Sequence, residues 1–405
     1  MVAHFYTESG LNSISRKGNV NEWFGTKAML HNKLLSAFQL CGYTGFFLAF
    51  VQSARLVSHL HLSELTLLGI TGTVILTFYV LMMITKILAN GEVIIYYHHE
   101  IAVLATSALF LRLTGRPVLP YLDVLVLGLG LFLACGRIGC LLVGCCHGRP
   151  CRWGVRYSDD HARAGFPHYL VGVKLFPIQA VESVLAFSIV ICGLALLLTR
   201  HQSGSVLLFY VIVYGCARFC LEFFRGDVAR PYVWGFSEAQ WTSLVLAGAA
   251  LFGEQAKVLP GSTWHPAAAF AMVAAMIFVR IRRHFDRSCR FELLHPAHIQ
   301  EIKLILQHLK SAQQRVLTSQ LVTSAPVVHI AHTSLGYRIS AGSGSIGTKT
   351  VEHFSISREG SLLSQQGART FSLLLARLAG RAELLELIQG NNGVFHVLLD
   401  DRQVI

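Results

Sequence analysis

Tyr121-Leu-Asp-Val-Leu-Val-Leu-Gly-Leu-Gly-Leu-Phe-Leu-Ala-Cys-Gly-Arg-Ile-Gly-Cys-Leu-Leu-Val-Gly-Cys145, continued by Cys146-His-Gly-Arg-Pro-Cys151, is the stretch on which the fold turns. Its first part is an apolar run long enough to cross a bilayer, which takes about 20 residues of helix. Its last part sets two arginines, a histidine, five cysteines and four glycines within residues 135–151. An arginine at the mouth of a span is costly unless it meets an anion, a carboxylate or water. Arg137 and Arg149 therefore either snorkel to the headgroups at the end of a span or line a site. Glycines allow the backbone to bend and let a large group approach. A guanidinium grips phosphate oxygens through two donors, so the combination suits a phosphate headgroup at lipid depth.

The apolar texture extends over most of the chain: 405 residues, 53% hydrophobic, 14% charged, mean hydropathy +0.52. That excludes an ordinary soluble enzyme and fits a polytopic membrane protein with a soluble appendage. A formal charge of +12 suits anionic lipid surfaces or acidic substrates, although basic loops also arise as topology signals. The arginines punctuate the spans and build no continuous basic face, so nucleic acid is not an expected partner. Residues 1–29 are polar and mixed, without the apolar core of a cleavable signal peptide. Of the ten cysteines, Cys41, Cys192, Cys216 and Cys220 lie inside apolar runs and read as small hydrophobes. No Cys-x-x-Cys pair occurs, so neither a zinc knuckle nor a thioredoxin-type pair is written here, and no metal or other cofactor is expected.

Runs of spanning length occupy 34–54, 65–88, 93–111, 121–145, 178–199 and 204–224, and two shorter ones follow at 239–253 and 266–282. The expected fold is an all-α polytopic membrane protein of seven or eight transmembrane helices with a small C-terminal α+β domain. Its parts are a polar segment at 1–29, a membrane-embedded domain at 30–282 with a polar cap loop at 148–176, and a soluble domain at 283–405. Trp153, Tyr157, Phe166, Tyr169 and Phe176 predict an ordered cap at the membrane surface, where aromatics are favoured. The basic run Arg280-Ile-Arg-Arg-His-Phe-Asp-Arg287 favours a cytosolic tail, with one of the two short runs re-entrant.

In the tail, 297–320 reads as an amphipathic helix, 326–332, 335–341 and 351–357 as strands, 361–389 as a helix or two, and 393–400 as a last strand. Gly342-Ser-Gly-Ser-Ile-Gly347 spells a dinucleotide fingerprint and Gly347-Thr-Lys-Thr350 nearly completes a phosphate loop. Both need a helix directly after the glycines, whereas Thr350–Ser357 reads as strand, so a hairpin is expected.

Tyr214, Arg218, Glu222 and Arg225 are spaced by four, four and three and share one helix face. Such a stripe on an apolar helix must face protein, a cavity or a site. An internal bridge from Glu222 to Arg218 or Arg225 is one reading. Two arginines against one carboxylate leave a spare cation, which favours an anionic ligand. Tyr96-Tyr-His-His-Glu100 offers His98 and His99 either as solvated surface or as a general base, since imidazole titrates near neutrality. Pro177-Ile-Gln-Ala-Val-Glu182 places Gln179 and Glu182 at one membrane surface, where Glu182 orients an arginine or caps the helix N-terminus.

In order, these are the His98 helix, Gly136-Arg-Ile-Gly139, Gly144-x-x-x-Gly-Arg149, Pro177-x-Gln-x-x-Glu182 and Tyr214-Gly-x-x-Arg-x-x-x-Glu-Phe-Phe-Arg225. The series resembles the prolipoprotein diacylglyceryl transferases of bacterial inner membranes over about residues 35–253. The resemblance implies a multi-pass enzyme of the bacterial inner membrane with its catalytic face outside. It implies transfer of a diacylglyceryl group from phosphatidylglycerol to the lipobox cysteine of a preprolipoprotein, or to another cysteine-bearing acceptor, with loss of glycerol 1-phosphate. Catalytic roles fall on His98, Arg137, Arg218 and Tyr214, and substrate contacts on His99, Arg149, Gln179, Glu182, Glu222 and Arg225. The chain departs from the family pattern in having His98-His99-Glu100 for His-Gly-Gly. It also places Cys140 and Val143-Gly144-Cys145 where the family has amides and a glutamate. Two readings come from other classes. One is a non-catalytic lipid-binding or scaffolding membrane protein; the other is a thiol-redox or metal protein built on Cys140, Cys145, Cys146, His147 and Cys151.

Overall fold

The structure, a computed structural model, describes residues 36–89, 96–199, 202–228, 231–285, 290–319, 329–346, 349–380 and 384–400. The 1–29 segment lies outside them. Eight long helices follow the apolar runs: α1 (Ala37–His59), α2 (Glu64–Ala89), α3 (Tyr96–Leu113), α4 (Val118–Val143), then, after the short α5 (Asp159–Arg163), α6 (Ile178–Leu198), α7 (Ser205–Leu221), α8 (Glu238–Gln255) and α9 (Trp264–His284). Six of them, α1, α2, α4, α6, α7 and α9, are long and apolar enough to cross a membrane. Phe47, Leu76, Met83, Phe252 and Phe270 point outward, as lipid-facing side chains do, since apolar surface on this scale marks contact with something other than water.

The centre of the bundle is α4, whose small residues let neighbours in. A Cβ added at Gly45 of α1 would lie 2.8 Å from Cys135 Cβ, and one at Gly139 3.1 Å from Phe38 Cα. These contacts run α1 and α4 antiparallel along a close seam. At the other end, Asp123 of α4 accepts from the backbone N–H of Gly204 at 2.6 Å and of Leu207 at 2.7 Å. A carboxylate on the orphan donors of a helix start is favourable, and here it fixes where α7 begins.

The cap is ordered. Arg149 N–H donates to Phe224 O, Gly226 N–H to His147 O, and Phe176 N–H to Arg149 O. Residues 147–151 thus lie between the end of α7 and the segment leading into α6. Gly148 and Gly226 are required by this approach: a Cβ at Gly148 would sit 2.3 Å from Phe176 O, and one at Gly226 2.4 Å from Gly148 O. β1 (Pro150–Val155) continues from there, and the two-residue strands β2 (Tyr232–Val233) and β3 (Phe236–Ser237) form a hairpin before α8.

Beyond α9 the tail comprises α10 (Arg290–Leu293), α11 (Pro296–Ser319), β4 (Ile330–His332), β5 (Tyr337–Ile346), β6 (Lys349–Arg358), α12 (Gln365–Ala379), β7 (Leu384–Gln389) and β8 (Phe395–Asp400). Its sheet is antiparallel throughout, in the order β4-β5-β6-β8-β7. One sheet face, with Tyr337, Ile339, Phe354, Ile356, Phe395, Val397 and Leu399, packs on Phe371, Leu374, Leu375 and Leu378 of α12 and on Ile302, Leu306 and Leu309 of α11. The Gly342–Ile346 glycines lie within β5, paired to β6, and no helix follows them; residues 347–348 are outside the described set.

Two expectations are corrected. Helix covers only Gln365–Ala379 of 361–389, because left-handed Gly380 ends it and Leu384–Gln389 pairs with β8. More consequential is the position of the tail. Tyr157, Phe166, Leu170, Val173 and Leu175 of the cap belong to the same buried cluster as the tail core. Of the two short runs, α8 has 18 residues and α9 has 21, and α9 alone is among the helices apolar enough to cross. At 1.5 Å per residue each is about 27–31 Å long, close to the hydrocarbon thickness of about 30 Å. The start of α8 meets the end of α9, where Arg283 donates to Gly235 O, and cap and tail share one core, so the tail stands on the face that carries the cap. A cytosolic tail and an outward catalytic cap exclude each other here.

Candidate active site

The polar stripe of α7 is buried where α4, α6 and α7 meet. Tyr214 and Arg218 face inward from α7, and the chain tightens into a 3-10 turn at Glu222–Phe224 before Arg225. Against them stands Glu182, on the second turn of α6 and only 1% exposed. Arg218 Nη1 donates to both Glu182 oxygens at 3.2 Å, and Tyr214 Oη donates to Oε1 at 3.0 Å. From the opposite side, Arg137 Nε of α4 forms an ion pair with Oε2 at 2.9 Å. Two guanidinium groups from different helices, with a phenol, thus converge on one carboxylate in a water-poor interior. Glu182 orients arginines; it is not a helix cap.

The stripe continues outward as an alternating chain of charge. Arg218 Nη2 pairs with Glu222, Arg225 Nε approaches the same carboxylate at 3.9 Å, and Arg225 binds Asp227 through two bonds of 2.8 and 3.1 Å. The expectation of a spare cation is therefore corrected. Within this group Arg137, Arg218 and Arg225 are matched by Glu182, Glu222 and Asp227, because the sequence count took in α7 alone. Buried charges survive only when paired in this way. Arg137 keeps one edge turned elsewhere: its Nη1 lies 4.0 Å from Cys140 Sγ. The neighbouring Gly136 opens onto space, since a Cβ there would meet nothing within 4 Å.

The remaining singled-out residues divide. Gln179 holds the loop: its Nε2 donates to Cys145 O at 2.8 Å, while Ser183 one turn on donates to Ala134 O at 2.8 Å, fastening α6 to α4. Arg149 donates from Nε to Arg225 O at 2.9 Å, tying the cap to the end of the stripe. Burial, with the Arg149 and Arg283 charges close by, holds His295 below its ordinary range.

His98 is not among the groups that meet Glu182. It is exposed at the head of α3 and pairs through Nε2 with Glu238 of α8 at 2.5 Å. His99 is buried and packs on Phe78 of α2, ring centroids 4.9 Å apart. Glu100 of that motif is buried and hydrogen-bonded to Tyr210, and Tyr97 also turns to the centre. Its ring lies 5.8 Å from that of Tyr214, and its hydroxyl is 2.9 Å from Ser243 Oγ. Tyr210 stacks on the other side of Tyr214 at 5.6 Å. A helix turns about 100° per residue, so Tyr97, His98 and His99 must face three directions. That periodicity was the available signal for Tyr97.

Beside Arg137, the Sγ atoms of Cys140, Cys145 and Cys146 lie within 4.8 Å of one another. Hydrogen bonds from Cys140 and Cys145, with the Arg225 and Arg137 charges, hold the Cys146 thiol well below its ordinary range despite burial.

The chain is similar to known proteins over the helices that carry this cluster. The family model for prolipoprotein diacylglyceryl transferase matches residues 35–253. A phosphatidylglycerol–prolipoprotein diacylglyceryl transferase of Clostridium tetani is 30% identical over 195 residues, covering 45% of this chain and 76% of that protein. A second such enzyme, from Clostridium perfringens, is 36% identical over 141 residues, 33% of this chain and 51% of that protein. One from Dehalococcoides mccartyi is 31% identical over 130 residues, 32% of this chain and 48% of that protein. The match ends within α8, so α9 and the tail lie beyond it. With α4, α6 and α7 all inside the matched span, this multi-pass membrane protein belongs to the prolipoprotein diacylglyceryl transferase family.

Proposed function

We propose that the chain transfers a diacylglyceryl group from phosphatidylglycerol to the thiol of a lipobox cysteine in a prolipoprotein, within the bacterial inner membrane. The observation that carries this reading is the convergence of Arg137 and Arg218, from α4 and α7, on one point beside Tyr214. In the reaction the acceptor thiolate forms a C–S bond to the glyceryl carbon, and the C–O bond to phosphate breaks. Glycerol 1-phosphate leaves with that electron pair. Its growing charge needs fixed cations in a low-dielectric site, and guanidinium groups held by Glu182 are already in place. Gly136, the residue before Arg137, leaves open space beside α4, and in this reading a lipid headgroup enters there.

The thiol must lose its proton, because the thiolate is the nucleophile. His98 takes that role in this reading: it is an exposed imidazole on the cap face, and Glu238 orients its ring and stabilises the imidazolium that forms. Arg149, Arg225 and Gln179 act as positioning residues that hold the cap against the stripe.

The test is a transfer assay in membranes with labelled phosphatidylglycerol and a panel of cysteine-bearing acceptor peptides. Label should appear on the peptide only when its cysteine is present, with release of glycerol 1-phosphate. Retention of phosphatidylglycerol without transfer to any acceptor would replace this reading with a non-catalytic lipid-binding one.

A further inference from the structure

Three thiols that the transfer reaction does not use come together at the end of α4. Cys140 lies in its last turn and is buried. Gly144 ends the helix in the left-handed region at φ 85°, and Cys146, although not a glycine, is also left-handed at φ 53°. An L-residue there costs about 1–2 kcal/mol, so the surroundings hold this turn in place. The consequence is that Cys145 and Cys146 fold back over Cys140 instead of running on into the cap. Their Sγ atoms and that of Cys140 lie within 4.8 Å of one another. His147 is turned away, with Nδ1 on Gly148 O at 3.0 Å and its ring edge-on to Phe166. The donor set is therefore three sulfurs.

We propose that Cys140, Cys145 and Cys146 form a three-thiolate site for a thiophilic d10 cation, Zn(II) or Cu(I). Thiolates are soft ligands that select these ions over harder ones. With metal–sulfur bonds of about 2.3 Å, three sulfurs around one ion stand about 4 Å apart, so closure takes less than about 1 Å of side-chain movement. Each thiol gives up its proton on binding, and the complex is then anionic. The Arg137 guanidinium, 4.0 Å from Cys140 Sγ, offsets that charge. A bound ion pins this turn to α4, and with it the Cys145 carbonyl that receives Gln179.

The experiment uses the full chain, purified reduced and metal-free under anaerobic conditions. One arm titrates Zn(II) alone against a chromophoric chelator, and the other Cu(I) alone against a Cu(I)-specific one. One arm should show a single ion per chain, and the stronger arm identifies the metal. Cys140→Ser and Cys146→Ser should each weaken binding by at least about tenfold, while Cys151→Ser leaves it unchanged. Loaded wild-type protein should also protect three thiols from alkylation, mapped by peptide mass spectrometry to residues 140, 145 and 146; this arm decides if the serine variants do not fold. No stoichiometric ion in either arm, binding indifferent to the serine substitutions, or a disulfide within the trio of freshly prepared protein overturns the proposal.

Discussion

Arg218→Lys is the substitution that separates a phosphate-gripping arginine from one that merely bridges. Arg218 spreads its guanidinium over two carboxylates, Nη1 to both oxygens of Glu182 at 3.2 Å and Nη2 to Glu222. A lysine keeps the charge but has one nitrogen and no planar fork, so it can serve one of the two. Because charge is retained, the penalty of about 3–5 kcal/mol for orphaning a buried partner is avoided. Loss of one charged hydrogen bond costs about 1.5–3 kcal/mol of stability, which a multi-span bundle in lipid tolerates. If the guanidinium stabilises the departing phosphate, turnover falls by about 10²–10³, or roughly 2.7–4 kcal/mol of barrier.

The assay is single-turnover release of glycerol 1-phosphate from labelled phosphatidylglycerol in nanodiscs, run beside a thermal melt on the same preparation. The discriminating outcome is the ratio of the two effects: a small melt shift with a large loss of rate. A folded Arg218→Lys protein with near wild-type turnover would refute the reasoning. So would better activity on removing Arg218 and Glu222 together than on removing either alone, since that is how a purely structural pair behaves.

The His98–Glu238 pair predicts that His98→Gln lowers the transfer rate by about 10²–10⁴ with little change in phosphatidylglycerol binding, measured by rate and lipid retention on one sample. Gly45→Ala, whose new Cβ would lie 2.8 Å from Cys135 Cβ and 3.3 Å from Phe132 O, should destabilise the α1–α4 seam by about 1–3 kcal/mol, read as a lowered melting temperature. Burial, with His295 and Arg358 near, pulls His298 in the tail down to about 4. The unfolded chain therefore takes up a proton near its ordinary value of about 6.5 while the folded tail does not. Tail stability should be full above that pH and fall toward pH 4 by on the order of 3 kcal/mol, and His298→Phe should flatten the profile in pH-dependent proteolysis.

Much of the bundle was legible because hydropathy states it directly: each apolar run became one helix, displaced by a few residues. The four-four-three spacing of Tyr214, Arg218, Glu222 and Arg225 likewise placed them on one buried face. What could not be read was what faces them from other helices. Glu182 had two available roles, and only the packing of α6 against α4 and α7 chooses between them. The prominence of His98-His99 drew attention past Tyr97, which the helix rotation turns inward. The thiol trio was invisible for a different reason. Cys140 and the Cys145-Cys146 pair show no metal spacing, and only a left-handed non-glycine residue brings them together. Pairing of β7 with β8 was missed because Leu384-Leu-Glu-Leu-Ile-Gln389 serves equally as a helix end, and the left-handed Gly380 is what decides.

The position of the tail follows from parity. The head of α3 meets α8 through His98 and Glu238, and α8 starts beside the end of α9, where Arg283 reaches Gly235 O. α4 ends into the cap and α6 leaves it, so α1, running antiparallel to α4, starts on the cap face. Counting from there, the seven helices α1 to α4 and α6 to α8 end on the opposite face at Gln255. The family match stops within the seventh, at residue 253. A tail fused directly to that end would have stood across the membrane from the site. α9 is the element that reverses this, and the shared core of cap and tail is its structural consequence. Single cysteines replacing exposed Trp153 in the cap and Ser361 in the tail should therefore react with an impermeant thiol reagent from the same side of sealed vesicles, in a background where native accessible thiols are replaced. Labelling of the two positions from opposite sides would show that α8 and α9 do not both cross.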